Sequence, residues 1–197
     1  MLALDTGPAI YLDALGYVPT VSRVSDIVIP GAVADELRAR LDRPGATVPE
    51  LSYVSVRHPA PQQVDAVAEQ ATLDPGESEV LALALGSAGR VVPVLDDLDA
   101  RRHAERCGIR KTGTLGVLVE LHQRGLAADT IEADLERLRS AGHWLGGSLA
   151  ASAIERVRHT RFIDRLSNPR LHRVPASPAH WPVHRQRPGP GPRDTGR

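Results

Sequence analysis

Short apolar runs, each closed by an acid, a proline or a turn, alternate along the chain with stretches of helical periodicity. Residues 1–5 run apolar into a carboxylate and predict a buried strand; Thr6-Gly7-Pro8 breaks it, and residues 9–15 predict a helix. Residues 25–30 predict a second strand. Pro30 then opens a helix over 31–41, at a helix start where the missing N–H costs nothing. Residues 51–57 alternate apolar and polar positions, the pattern of a half-buried strand. A helix is expected over 62–70. Asp74-Pro75-Gly76-Glu77 has the form of another helix start, with Asp74 as N-cap and the helix running to about Ser87. Residues 91–95 predict a strand ending at Asp96-Asp97, although Pro93 cannot donate to a ladder and speaks against a central position. Further helices are predicted over 99–107 (closed by Gly108), 114–124 (closed by Gly125), 129–140 and 149 to about 166. Strands alternating with helices predict an α/β fold, a three-layer sandwich with a central parallel sheet flanked by helices.

Residues 1–166 are expected to form one domain, consistent with a 197-residue chain. Residues 167–197 read as a disordered Pro/Arg-rich tail, where prolines crowd among Arg, His and Gly and no apolar period survives. No internal repeat is visible. Apolar residues make up 42% of the chain but aromatics only 3%, so the core must be aliphatic.

The net charge of zero hides an asymmetry: acids dominate up to residue 154 and bases after it. The cations are arginines apart from Lys111. Arginine suits bidentate phosphate contacts, and a GC-rich genome would also produce it. The tail could meet an RNA backbone through counterion release, though disorder without function is the plainer reading. Cys107 has no second cysteine to pair with, and its place at a helix end reads as a buried structural thiol. With no run of about 18 apolar residues and no secretion signal at residues 1–5, the protein is expected to be cytoplasmic, with no membrane partner.

The chemistry lies in carboxylates placed where strands end or helices begin, since sites in open α/β sheets form beyond the carboxyl ends of strands. Asp5 closes the first strand, Asp96 and Asp97 close the strand at 91–95, Glu77 and Glu79 stand in a helix's first turn, and Glu36 lies a turn into the helix after the second strand. If the strands ending at Asp5 and Asp97 are parallel neighbours, their carboxylates meet at one edge. Such a cluster repels itself unless protons or cations neutralise it. An all-oxygen donor set prefers Mg²⁺ or Mn²⁺. Each acid also has a structural use: first-turn acids favour the helix dipole, and Glu36 could pair with Arg40. Asp5 has the fewest local uses.

Leu4-Asp5-Thr6-Gly7-Pro8 and Ile29-Pro30-Gly31-Ala32-Val33-Ala34-Asp35-Glu36-Leu37 resemble the first two motifs of PIN domains. Leu73-Asp74-Pro75-Gly76-Glu77-Ser78-Glu79 is similar to the third in its Gly-Glu-x-Glu form, and Leu95-Asp96-Asp97-Leu98-Asp99-Ala100-Arg101 with Thr112-Gly113-Thr114-Leu115-Gly116 completes the pattern over residues 1 to about 150. The resemblance implies a Mg²⁺- or Mn²⁺-dependent endoribonuclease acting on RNA, similar to the VapC-like toxins of type II toxin–antitoxin pairs, with a cognate antitoxin and a homodimer as partners. It implies Asp5 as first metal ligand, Glu36 as second, Glu79 or Glu77 as third and Asp97 or Asp96 as fourth, with Thr6 orienting the first acid. Glu stands at the third position where many such toxins carry Asp, and the tail lies outside the family's usual length.

Arg101 is a candidate for neutralising the acids or touching a phosphate. Thr112 and Thr114 read as turn and cap residues, with Thr114 a supporting candidate at the site. The eight histidines show no metal-ligand spacing, and Trp144 and Trp181 belong to no aromatic stacking set. Two other functions compete with this one. Asp97-Leu98-Asp99-Ala100 resembles the Asp-x-Asp motif of haloacid-dehalogenase-type phosphatases, but Arg101 stands where Thr or Val is usual. A PIN fold can also serve as a non-catalytic interaction module, but every candidate ligand position here is still acidic.

Overall fold

The structure, a computed structural model, describes residues 1–41, 51–70 and 72–167; of the segment read as a tail, Ser167 ends the last helix and residues 168–197 lie outside the described residues. Its elements run in order β1 (Leu2–Leu4), α1 (Thr6–Ala14), α2 (Val18–Ser22), β2 (Ile27–Pro30), α3 (Gly31–Leu41), β3 (Ser55–Arg57), α4 (Pro61–Ala68), α5 (Pro75–Leu85), β4 (Val92–Val94), α6 (Leu98–Arg106), α7 (Thr114–Gln123), α8 (Ile131–Ser140) and α9 (Gly147–Ser167). The strands form one sheet in the order β3-β2-β1-β4, and every pairing is parallel. A parallel neighbour cannot be reached by a tight turn, so each crossover carries helix, and the helices cover the sheet. This is the α/β sandwich that the alternation of elements predicts.

Burial follows position in the sheet. All four residues of β2 are buried, as are Ala3 and Leu4 of β1, which is why these strands read as unbroken apolar runs. At the edge, all three residues of β3 are exposed. The half-buried strand expected over 51–57 is therefore corrected twice: residues 51–53 form a 3-10 turn, and the strand that follows lies at the edge of the sheet formed by the described residues, with all three of its residues exposed. Helix α2 falls between the predicted elements; Gly16 before it takes a left-handed φ of 73° and Pro19 sits in its first turn.

Pro93 finds its place by geometry. It lies opposite Ala3 in the β1–β4 ladder, yet its carbonyl points the other way and accepts from the Thr112 N–H at 3.0 Å. In a parallel strand the N–H and C=O of one residue face the same side, so the proline's missing donor falls on the side away from β1.

The main core gathers Leu4, Leu12, Ile29, Leu37, Leu81, Leu95 and Leu118 around the sheet. A second cluster of Val119, Ile131, Leu135, Ala153 and Val157 binds α7, α8 and α9 together. Each fully buried Leu contributes about 1.5–3 kcal/mol, so an aliphatic core can hold the fold without aromatics. Among the described residues no helix is long and apolar enough to cross a membrane. Cys107 is half-buried rather than sealed in the core, with its Sγ 3.4 Å from His103 Nε2.

Candidate active site

Asp5 ends β1 and occupies the N-cap position of α1, but its side chain caps nothing. Its backbone N–H reaches the carbonyl of Val94 at 3.3 Å, which fixes the end of β1 beside the end of β4. Burial pushes the Asp5 carboxyl up to about 7 from an ordinary 3.8; the Thr6 backbone N–H lowers it, and the charges of Asp74, Glu77 and Glu36 add to the rise. The Thr6 hydroxyl donates to Glu36 Oε2 at 2.5 Å, tying α1 to α3, so Glu36 takes its partner from α1 instead of Arg40.

Helix α5 approaches these acids end-on. Its start is a capping box: Asp74 Oδ1 accepts from the Glu77 N–H at 2.8 Å, and Glu77 Oε2 accepts from the Asp74 N–H at 3.2 Å. Gly76 lies against the cluster. A Cβ there would stand 3.1 Å from Glu36 Oε1 and 3.3 Å from Asp5 Oδ1, so the missing side chain is what lets the positive end of the helix come so close. Glu77 itself is buried. Burial raises its carboxyl to about 7, against the lowering effect of its backbone hydrogen bond to Asp74, with Asp74, Asp97 and Glu36 raising it further. Asp97 caps α6, its Oδ1 accepting from the N–H groups of Asp99 (2.7 Å) and Ala100 (3.0 Å).

Within each pair of neighbouring acids the two members have different surroundings. Glu77 shares the field of Glu36, Asp97 and Asp5, while Glu79 Oε2 accepts from the Ala32 N–H at 2.9 Å in the first turn of α3. Asp97 is felt by Glu77, while Asp96 is fastened to other groups. It accepts from the Thr114 N–H (2.8 Å) and hydroxyl (2.6 Å), and its Oδ2 lies 3.3 Å from His143 Nε2, an ion-pair separation without the alignment of a hydrogen bond. Burial would raise Asp96, but His143 and Thr114 outweigh it and hold the carboxyl below its ordinary value. Arg101 turns its guanidinium to the backbone, donating to the Leu95 carbonyl at 2.8 Å. Gly113 packs between: a Cβ there would stand under 3 Å from both Asp96 Oδ1 and Arg101 Nη1.

Among the described residues, Asp5, Glu36, Glu77 and Asp97 take part in no ion pair. Nor do any three His, Cys, Asp or Glu groups stand close enough to enclose a metal ion, so the cluster is open as it stands. A set of hard oxygen donors that is half-buried, mutually repelling and, among the described residues, paired with no cation still fits a divalent ion. Mg²⁺ in particular keeps several waters and uses only one or two direct carboxylates.

Two histidines without metal-type spacing have definite partners. His143 holds Asp96 and packs its ring edge-on to Tyr11. His122 and Asp134 are fully buried: the Tyr17 hydroxyl donates to Asp134 Oδ2 at 2.6 Å, His122 Nε2 lies 2.8 Å from the same oxygen, and Arg137 donates to Asp134 Oδ1 at 3.3 Å. A signal was available. Asp134 stands on the apolar stripe Ile131, Leu135, Leu138 of α8, and a carboxylate on a core face needs partners.

Acids from separate segments, brought to the carboxyl edge of an all-parallel sheet, define an α/β protein built on a nuclease-type fold. The chain belongs to the PIN-domain family: the family model DUF3368, a PIN domain, matches residues 1–159. PIN domains are in general nucleases, hydrolases that use divalent metals. No curated protein matches the chain at a significant level.

Proposed function

We propose that this PIN domain is a Mg²⁺-dependent endoribonuclease, with Mn²⁺ as a substitute, that hydrolyses RNA phosphodiester bonds as the toxin of a type II toxin–antitoxin pair of the VapC-like branch. The observation that carries the reading is the convergence of Asp5, Glu36 and Glu77, with Asp97 within their field, at one sheet edge where no described cation pairs with them. We take these four as the metal-binding carboxylates and Glu79 as the anchor that holds the start of α3, and with it Glu36, in position. Asp96, Thr114 and Arg101 support the loop after β4 from behind. A cognate antitoxin and a second copy of the chain are the proposed partners.

Asp5, Glu36, Glu77 and Asp97 would hold a divalent ion there, which would supply Lewis-acid help and a more acidic water for hydrolysis of an RNA phosphodiester to 5′-phosphate and 3′-hydroxyl ends. The protein's own part is positional. Thr6 donates its proton to Glu36 and so fixes which oxygen of that carboxylate stays free. Gly76 keeps side-chain bulk out of the gap between Glu36 and Asp5. The dipole of α5 offsets part of the repulsion among the acids.

The test is cleavage of structured RNA with Mg²⁺ or Mn²⁺, with and without EDTA, by the native chain and by Glu77→Gln and Glu79→Gln. Cleavage is expected to vanish in EDTA and to fall about 100-fold or more in Glu77→Gln, by loss of a metal-binding carboxylate. Glu79→Gln is expected to keep substantial activity and lose about 1 kcal/mol of stability with its charged contact to the helix start. Metal-independent cleavage would remove the metal reading, and full activity in Glu77→Gln would move the third ligand to Glu79.

A further inference from the structure

His143 lies between α8 and α9 and is nearly sealed. Its side chain is 12% exposed, and among the described residues both ring nitrogens are buried without an aligned hydrogen bond. Burying polar nitrogens in that state costs stability, and an aliphatic side chain would fill the space without the cost. What an imidazole adds is a partner for a carboxylate. Its Nε2 lies 3.3 Å from Asp96 Oδ2, and its ring meets that of Tyr11 edge-on, 4.8 Å between centroids. Burial would raise the Asp96 carboxyl; among the groups that hold it below its ordinary value, His143 acts most strongly and Thr114 next.

These two contacts fall on the two segments that carry acids away from the adjacent strands β1 and β4. Tyr11 belongs to α1, which begins directly after Asp5. Asp96 stands between β4 and Asp97, the N-cap of α6. Asp97 Oδ1 is taken up by the N–H groups of Asp99 and Ala100, so the direction of its other oxygen follows the backbone at 95–97. Arg101 holds that backbone at the Leu95 carbonyl, and the Asp96 side chain holds it through Thr114 and His143. The backbone bond across the strand ends, from the Asp5 N–H to the Val94 carbonyl, is long at 3.3 Å, so a side-chain tie over the same gap has something to add.

We propose that His143 is a positioning residue for the metal site: wedged between Tyr11 and Asp96, it sets the separation of the segments that carry Asp5 and Asp97. This rests on the metal-dependent reading above and gives the turn between α8 and α9, far along the chain from the acids, a part in the site. His143 acts through Asp96 and touches neither ion nor RNA.

The experiment is a calorimetric titration of Mn²⁺ into the full chain, without RNA, for the native protein, His143→Phe and His143→Gln. Phenylalanine keeps a ring against Tyr11 and loses the partner of Asp96; glutamine keeps a donor within reach of Asp96. His143→Phe is expected to bind Mn²⁺ about 10-fold more weakly, and His143→Gln to stay within about threefold of the native chain. Melting temperatures in EDTA are expected to lie within about 3 °C of one another. In RNA cleavage, His143→Phe is expected to lose rate at limiting Mn²⁺, to recover most of its kcat at saturating Mn²⁺, and to keep the native KM for RNA. A phenylalanine variant that loses melting temperature but not Mn²⁺ affinity, or that does not fold, makes His143 a packing residue and overturns the proposal. Equal losses of affinity in both variants would make the imidazole itself a ligand and overturn it as well. A native chain that binds no Mn²⁺ removes the metal reading together with this inference; a native chain that binds it, beside a phenylalanine variant that binds equally well, removes this inference alone.

Discussion

Replacing Asp5 with asparagine is expected to abolish RNA cleavage and, in the same protein, to make the metal-free fold more stable. The first effect follows from losing the carboxylate at the centre of the cluster, a loss of about 100-fold or more in rate for a metal-binding group. The second follows from linkage. The Asp5 carboxyl titrates near 7 in the fold against an ordinary 3.8, so between those values the folded chain binds the proton that the unfolded chain has released. The native protein without metal is therefore most stable below pH 4 with respect to this group, and loses that contribution as pH rises through 7. Glu77, also raised to about 7, acts in the same direction. Asparagine has no proton to lose. At pH 8 in EDTA, Asp5→Asn is expected to be more stable than the native chain by about 2 kcal/mol, after allowance for relaxation and water access, and at pH 4 the two are expected to be nearly equal. Thermal unfolding at both pH values measures the difference. Mn²⁺ should then raise the native melting temperature at pH 8 and leave that of the variant almost unmoved. A variant destabilised at pH 8 would show that Asp5 is held by contacts that favour its charge, against the burial argued here.

The largest effect on stability alone is expected away from the site, at Asp134. Its carboxylate is fully buried and receives the Tyr17 hydroxyl, the His122 ring and the Arg137 guanidinium, while a second Arg137 nitrogen donates to the Leu15 carbonyl at 2.8 Å. A carboxylate only accepts, so His122 Nε2 carries the proton, and the buried Nδ1 is left without a partner. The same burial, with the hydrogen bond to Asp134, pushes the Tyr17 hydroxyl up to about 12. Removing the acceptor strands the buried Tyr17 hydroxyl and His122 N–H, while the partly exposed Arg137 keeps Asp129 and the Leu15 carbonyl. Asp134→Ala is expected to cost about 3–5 kcal/mol, a large share of a typical 5–15, and to lower the melting temperature by about 10 °C. Asp134→Asn keeps an acceptor oxygen and should cost less. A drop of under about 3 °C in the alanine variant would mean that the network is not holding the turn between α1 and α2 against α7 and α8.

Much of this architecture is readable from periodicity, because the two inner strands of a parallel sheet are buried on both faces and leave unbroken apolar runs such as Ile27-Val28-Ile29. What periodicity could not give is edge behaviour. Residues 51–57 alternate like a half-buried strand, yet β3 is exposed throughout, since alternation describes side chains and not whether a further strand lies alongside. At the site, the acids were visible by their places at strand ends and helix starts, but their grouping was not. Whether Glu77 or Glu79 faces Asp5 depends on the rotation of α5 about its axis, which the capping box of Asp74 and Glu77 and the close approach at Gly76 set in three dimensions. Likewise, adjacent Asp96 and Asp97 divide because one caps α6 while the other is drawn to Thr114 and His143, partners 18 and 47 positions further along the chain. The buried Tyr17–His122–Asp134 network leaves no metal-type spacing among the histidines; its one trace in the sequence is a carboxylate on the apolar stripe of α8.

The proline in β4 bears on assembly. With Pro93 facing outward and Thr112 bonded across it, that margin of the sheet offers no continuous row of donors for another strand. Growth of the sheet by an added chain is thereby steered to the opposite margin, at β3. Three residues there provide too few rungs to hold a newcomer by backbone bonding alone, so any chain that lengthens this sheet must bring side-chain contacts of its own.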